Sequence, residues 1–147
     1  MRTLIILATA SLVLTATALA AGGKRSTTLS LVAIEQQCGG ADLPPSDGSP
    51  GDVTMCRARL QTADKHTRAG VAAWYCPYTG SERFGDVCTA VASLRGGDIT
   101  LAGRLHHTSA TSTWAVTGGT GTHATARGTA QVKQLSDTKT AVTIRLR

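Results

Sequence analysis

Apolar and polar residues alternate along most of the chain after residue 26, and this period of two predicts β-strands. The pattern is clearest from 124 to 133, where small or apolar residues take one face and polar residues the other. No segment shows the 3.6-residue apolar period of an amphipathic helix. Turn-forming residues divide the alternation into eight predicted strands, at 27–37, 52–62, 68–76, 86–95, 96–108, 112–117, 122–135 and 138–147. The sequence therefore predicts an all-β antiparallel barrel or sandwich.

Glycines mark the boundary between the sixth and seventh predicted strands. Gly118, Gly119 and Gly121 fall within four positions, where a backbone with φ > 0 or a close approach of another strand requires glycine. This cluster predicts a tight corner between two strands. Gly119-x-Gly121-x-x-Ala124 also has the spacing of a dinucleotide-binding fingerprint. That fingerprint needs a following helix to hold the pyrophosphate, and the alternation here continues as a strand, so nucleotide binding is not expected.

The N-terminus has the pattern of a secretory signal peptide. Arg2 supplies a positive charge, residues 4–18 are apolar, and Ala18-Leu19-Ala20 fits a cleavage site. We predict a signal peptide at 1–20, a single domain at 21–147 and a secreted protein. An uncleaved anchor is the alternative, although the apolar run is short for a membrane span. No later run is apolar enough to span, so no membrane association is expected after cleavage.

Four cysteines remain in the exported chain, and an even count in an oxidising compartment predicts two disulfides. Three pairings are open. Cys76–Cys88 is favoured because both residues flank an apparent hairpin connection, which leaves Cys38–Cys56 by elimination. A zinc site would need close pairs of cysteine or histidine ligands, and the spacing offers none.

The charge of the exported chain is about +5, from fourteen Lys and Arg against nine Asp and Glu once Arg2 is removed. The basic residues are scattered, and aromatic residues do not alternate with them as nucleic-acid stacking platforms would. Nucleic-acid binding is therefore not expected. Aromatic residues make up only 3% of the chain, so that the core must be built of Ala, Val and Leu. Such small inward residues could leave a cavity. We predict that Trp74 and Trp114 contact a ligand bound there.

The titratable residues give one candidate for catalysis. His106 and His107 are adjacent in a predicted strand and would face opposite sides, while His66 and His123 lie in predicted turns. Neither a metal site nor a cofactor is expected, and no G-x-S-x-G nucleophile motif occurs. Glu35 lies near the end of one alternating row of the first strand, which consists of Leu29, Leu31, Ala33, Glu35 and Gln37. The row on the other face also contains apolar residues, so the pattern does not decide which row faces the core. At the mouth of an apolar cavity desolvation would raise the pKa of Glu35, whereas a strand-end glutamate facing water is the alternative.

The corner carries a family resemblance. The sequence TGGTG at 117–121, followed by HATARG at 123–128, closely resembles the signature of dirigent proteins and allene oxide cyclases. The segment 96–103, GGDITLAG, resembles the strand that precedes the corner in that family. The resemblance covers about residues 86–132 and implies an eight-stranded, calycin-like β-barrel with a structural corner at Gly118, Gly119, Gly121, Arg127 and Gly128. It also implies a homodimer or homotrimer.

The resemblance extends to the candidate site. Allene oxide cyclases carry a functional glutamate at the end of the first strand, where Glu35 lies, and Pro44 and Pro45 follow in the next loop. The chain has no asparagine, the residue with which those cyclases hold a water beside the epoxide oxygen, so fatty-acid epoxide cyclisation is not the expected reaction. Dirigent proteins place aspartates and an arginine around the cavity mouth. Three aspartates here lie near predicted strand starts without a match to them, and Arg127 alternates onto the outer face; the three are Asp52, Asp86 and Asp98.

Together with the signal peptide and the small inward residues, the resemblance implies a secreted barrel that binds a small apolar or phenolic molecule and steers its cyclisation or coupling. Two alternatives stay open. One is a non-catalytic carrier of the same kind of ligand. The other is a structural or cell-surface protein with a filled barrel, whose loops at 39–51 and 77–85 make the contacts.

Overall fold

Each strand pairs antiparallel with the next one along the chain, and the last pairs with the first, so that the sheet closes into a barrel. The computed structural model describes residues 26–45 and 48–147, without the side chains of Glu35 and Gln36. Within these residues the strands are β1 (Thr27–Ala41), β2 (Val53–Thr62), β3 (Arg68–Pro77), β4 (Asp86–Leu94), β5 (Gly97–Leu105), β6 (Thr111–Gly119), β7 (Gly128–Ser136) and β8 (Lys139–Leu146). The eight-stranded antiparallel barrel predicted from the alternation is thus confirmed, and closure leaves no unpaired sheet edge.

The alternation identifies the inner face of the barrel. On β1 the inner row is the one that contains Leu31 and Ala33, which are 6% and 3% exposed. On β7 and β8, Ala130 and Ile144 are fully buried, and their polar neighbours in sequence face solvent. Small residues meet in register across three strands, where Ala58 of β2 opposes Ala72 of β3 and Ala72 opposes Ala92 of β4. This row of alanines leaves room inside the barrel.

The two ends of the barrel differ. One end, here called the loop end, carries the longer connections 42–52, 78–85 and 106–110 and the β7–β8 turn. The opposite corner end carries the turns after β2 and β4 and the β6–β7 corner. Leu60, Ile99 and Ile144 lie within two residues of strand termini at the corner end, and each is at most 2% exposed. The corner end is therefore packed.

The β6–β7 corner is a place of close backbone approach. The amide of Thr122 donates to the carbonyl oxygen of Gly96 at 2.8 Å, which ties the corner to the β4–β5 turn. Gly121 has φ of 56° and Gly128 has φ of 150°, and a Cβ on Gly128 would collide with the carbonyl oxygen of Arg145. These positions require glycine because both the φ angle and the space exclude a side chain. Gly118, by contrast, does not have a positive φ, and a Cβ there would make a tight contact of 3.3 Å with the Thr100 hydroxyl.

Three predicted strand boundaries were wrong by three residues or more, at the end of β1, the end of β5 and the start of β7. β1 continues to Ala41, and an irregularity between Glu35 and Gln37 shifts the register, so that Gln37 opposes exposed Arg57 instead of joining the inner row. A β-bulge inserts one residue and reverses the faces beyond it, which the sequence pattern does not reveal.

β7 begins at Gly128 and not at residue 122, because Gly121–His123 forms a 3₁₀ turn. Ala124 is accordingly exposed and does not belong to the small-residue row. β5 ends at Leu105, which places His106 and His107 in the following loop and not in a strand.

Two disulfides link neighbouring strands with the pairing that the sequence favoured. Cys38–Cys56 joins β1 to β2, where the two residues are register partners, and Cys76–Cys88 joins β3 to β4. Two such bridges are consistent with an extracellular protein. The predicted signal peptide at 1–20 lies outside the described residues. None of the helical structure within residues 26–45 and 48–147 is long and apolar enough to cross a membrane.

Candidate functional site

The interior of the barrel holds a cavity of about 300 Å³. Twenty residues line it, drawn from all eight strands, and all but three of them are apolar. Leu60 and Ile144 form its floor towards the corner end, and Leu105 and Cys76 belong to its wall near the loop end. Protein interiors normally hold few voids larger than a water molecule, so a space of this size within a core is a candidate ligand site.

Both tryptophans of the chain line this cavity. Trp114 on β6 is 5% exposed, and its indole Nε1–H donates to the carbonyl oxygen of Arg104 at 3.0 Å, which fixes the ring against β5. Trp74 on β3 is half-buried and lies in register between Cys56 and Ala90. The two side chains predicted to contact a ligand are therefore brought to one cavity. Ligand binding by them remains a prediction.

Small residues create the cavity beside the tryptophans. Ala72, Ala90 and Ala92 all line it, and they lie on the neighbouring strands β3 and β4. In each of these positions a larger inward residue would occupy the space in which a ligand could bind. Because the chain contains few aromatic residues, the cavity wall is largely aliphatic, and its aromatic side chains are the two tryptophans.

The polar residues of the wall are three: Thr54, Gln134 and Thr140. The hydroxyl of Thr140 donates to Oε1 of Gln134 at 3.3 Å, which links β7 and β8 near the loop end. Glu35 is placed by backbone register opposite Ala58, directly before the irregularity in β1. Its side chain lies outside the described part of the structure, so its catalytic role stays a prediction.

A pair of titratable residues at the loop end was not predicted. Nε2 of His107 lies 3.0 Å from Oδ1 of Asp86, and the ring of Tyr78 meets the imidazole edge-on at a centroid distance of 5.9 Å. Asp86 begins β4, whereas His107 belongs to the loop after β5, 21 residues further along the chain. The pattern gave no signal for this contact, because it placed His107 in a strand.

Asp52 and Asp98, near strand starts, and Arg127 all make local hydrogen bonds. The carboxylate of Asp52 accepts hydrogen bonds from the amides of Leu43 and Ser49, both at 2.8 Å, and so closes the β1–β2 loop. The backbone amide of Asp98 donates a hydrogen bond to Oγ1 of Thr120 at 2.9 Å in the corner. Arg127 is exposed, as its alternation indicates, and donates from Nη1 to the carbonyl oxygen of Ala126.

Two further features lie outside the interior. A groove of about 530 Å³ runs over β1 to β4, where Met55, Tyr75 and Val91 are 52%, 44% and 39% exposed, and Trp74 lines this groove as well as the cavity. In the turn after β2, a hydrogen bond from the amide of Lys65 lowers the pKa of the exposed Asp64, which is a local feature of that turn.

In the part of the chain that the structure describes, no three His, Cys, Asp or Glu residues are grouped as metal ligands.

Comparison with solved structures places this barrel among proteins of known fold. It is similar to pyocyanin demethylase, with a TM-score of 0.74 and 23% identity over 82% of this chain and 100% of that one. It is similar to a pterocarpan synthase dirigent protein, with a TM-score of 0.72 and 19% identity over 95% of this chain and 98% of that one. An exo-specific intermolecular Diels-Alderase has a TM-score of 0.65 and 12% identity over 83% of this chain and 96% of that one.

No protein-family model and no curated protein sequence matches the chain. At identities of 12–23% the structural likeness shows the fold alone. The chain has the closed eight-stranded barrel of the dirigent proteins, which is the architecture that the corner sequence implied.

Proposed function

We propose that this protein is secreted and that it binds a small apolar or phenolic molecule inside the barrel and steers the cyclisation or coupling of that molecule. The observation that carries the proposal is the interior cavity of about 300 Å³, packed at one end and lined by both tryptophans. Ligand pockets span about 300–1,000 Å³, so a cavity of this size suits a molecule of one or two rings.

The neighbours in fold support a reaction on a small molecule. Their names describe a demethylase of pyocyanin, a pterocarpan synthase and a Diels-Alderase. This chain shares their closed barrel, and we propose that its interior holds an organic molecule in one geometry. Holding reactants in a near-attack geometry lowers a barrier by several kcal/mol without a strong nucleophile. This mode of catalysis fits an apolar wall.

Glu35 is the residue that we propose for acid–base chemistry in this reaction. Its position at the end of the apolar row of β1 and the resemblance to cyclases support that role. Positioned general acids and bases typically contribute about 10²- to 10⁴-fold to a rate, so Glu35→Gln is the variant that separates a catalytic from a carrier function. A carrier would bind its ligand equally well with either residue.

Binding to the interior can be tested through tryptophan fluorescence, because the chain has only Trp74 and Trp114 and both line the cavity. An apolar probe that quenches on contact should quench both residues, and the variants Trp74→Phe and Trp114→Phe divide the signal between them. Trp114 reports the cavity, whereas Trp74 also lines the outer groove. Ala72→Leu should reduce the quenching because it occupies the cavity. Ala73→Leu is the matched control, since Ala73 is exposed on the outer face of the same strand.

A structural or cell-surface role is the second candidate, and the exposed groove at Met55, Tyr75 and Val91 favours it. In that case the interior would take up no probe, and wild type and Ala72→Leu would give the same weak quenching.

A further inference from the structure

Asp86 is a charged residue in a buried position. The buried polar or charged residues of the described chain are Ser49, Asp86 and Ser112, and of these only Asp86 carries a charge; it is 8% exposed. Burying a carboxylate is costly unless hydrogen bonds compensate for the lost water. A protein that only needed to close a barrel would gain stability from an apolar residue here, so the carboxylate calls for an explanation.

His107 compensates part of this cost and fixes the orientation of the carboxylate. Its Nε2 lies 3.0 Å from Oδ1 of Asp86, where the Nε2–H tautomer donates a hydrogen bond. The imidazole is held from a second side by the edge-on ring of Tyr78, at an interplanar angle of 75°. Tyr78 therefore supports the imidazole, and the imidazole in turn contacts the carboxylate.

The second oxygen of Asp86 is available to another group. No hydrogen-bond donor among the described residues meets Oδ2, and the Asp86 side chain retains 11% of its exposure. Asp86 opposes Leu105 in the β4–β5 register, and Leu105 lines the cavity. Opposed residues of an antiparallel pair lie on the same face of the sheet, so Asp86 lies on the inner face beside Leu105, at the loop-end rim and just outside the residues that line the cavity.

We propose that Asp86 accepts a hydrogen bond from a hydroxyl group of the ligand at the loop end of the cavity, and that His107 is the positioning residue for that carboxylate. The ligand class is then a molecule of one or two rings that carries a phenolic or alcoholic hydroxyl. The rings lie against the apolar wall, and the hydroxyl reaches the rim. This inference rests on the proposed function because it uses the same cavity.

The test compares 2-naphthol with naphthalene and 2-methoxynaphthalene by equilibrium dialysis. The three probes share the ring system, but only 2-naphthol can donate a hydrogen bond. We expect the wild-type protein to bind 2-naphthol about tenfold more tightly than either other probe, as a hydrogen bond to a charged acceptor allows. Asp86→Asn removes the charge and leaves only a neutral amide to meet the hydroxyl, so the preference should fall severalfold while naphthalene binds as before.

His107 is tested by two variants with opposite expectations. His107→Gln keeps an N–H donor and should retain the preference for 2-naphthol, whereas His107→Phe keeps only the ring packing against Tyr78 and should reduce the preference. A purely structural role would change the binding of all three probes together. Near-ultraviolet circular dichroism confirms the fold of each variant.

The outcomes separate this inference from the proposed function. If wild type binds all three probes equally, the interior binds ligands and the role of Asp86 is wrong. If wild type prefers 2-naphthol and Asp86→Asn does so to the same extent, the anchor lies elsewhere and the inference is again wrong. If wild type binds none of the probes, both the inference and the proposed function are overturned. The comparison of probes on wild type needs no variant to fold.

Discussion

Replacing Ala72 with leucine should stabilise the protein, because the added carbon atoms enter the interior cavity. Ala72 is half-buried, lines the cavity and has alanines opposite it on both neighbouring strands. Leucine adds three carbon groups, each worth ~0.8 kcal/mol when buried, and loses ~0.5–1 kcal/mol of side-chain entropy. The expected gain is about 1.5 kcal/mol in the free energy of unfolding. This sign is unusual, since enlarging a residue in a filled core costs about 1–3 kcal/mol.

Urea denaturation followed by circular dichroism, with both disulfides intact, measures this difference. At an m-value of about 2 kcal/mol/M the midpoint should rise by about 0.7 M. The exposed Ala73→Leu control should stay within about 0.5 kcal/mol of wild type, because it adds the same atoms outside the barrel. If Ala72→Leu instead lowers the midpoint while Ala73→Leu does not, the interior is already filled and the reasoning from the cavity is refuted.

Three further predictions concern the corner, the aromatic wall and the candidate acid–base residue. Gly128→Ala should destabilise by about 2 kcal/mol or more, because φ is 150° and the new Cβ meets the backbone of Arg145. Gly39→Ala, where no described atom lies within 4 Å of the new Cβ, should be nearly neutral in the same urea titration; equal stability of the two variants would contradict the tight corner. Trp114→Phe should cost about 1–3 kcal/mol, since it leaves a buried carbonyl without its indole donor, and an unchanged midpoint would show that this hydrogen bond does not matter. Glu35→Gln should lower turnover of an identified ligand about a hundredfold or more with an unchanged circular dichroism spectrum, and full turnover would exclude Glu35 as the acid–base group.

The strands and the disulfides could be predicted because burial of one face imposes a strict period of two. Ala130 and Ile144 are fully buried while their sequence neighbours are not, and this contrast is written directly in the residue types. The same inward rows brought Trp74 and Trp114 to one cavity. Cys76–Cys88 could be predicted because the pair flanks a hairpin connection between adjacent strands, and Cys38–Cys56 then followed by elimination.

The errors lie where the backbone departs from that period. The shift between Glu35 and Gln37 reverses the faces of β1, and Gln37 is exposed although the alternation placed it with Leu31. The turn at Gly121–His123 interrupts an alternation that continues in the residue types but not in the strand. Such departures depend on backbone hydrogen bonds to other segments, to which the local pattern is blind.

The pair of Asp86 and His107 could not be predicted for a different reason. The two residues are 21 positions apart, and they meet only because β4 and β5 are paired and the following loop folds back over the strand ends. Neither residue has an unusual sequence neighbourhood. A contact of this kind forms only when distant parts of the chain fold together. The alternation also predicts a strand that includes His107, whereas β5 ends at Leu105.

Ligand binding inside the barrel is tested most directly by a crystal structure of the protein grown with 6-bromo-2-naphthol, in which the anomalous signal of bromine locates the ligand. We expect a bromine peak inside the barrel, between Trp74 and Trp114. A barrel interior filled by side chains, with bromine only in the outer groove at Met55 and Tyr75, would contradict it.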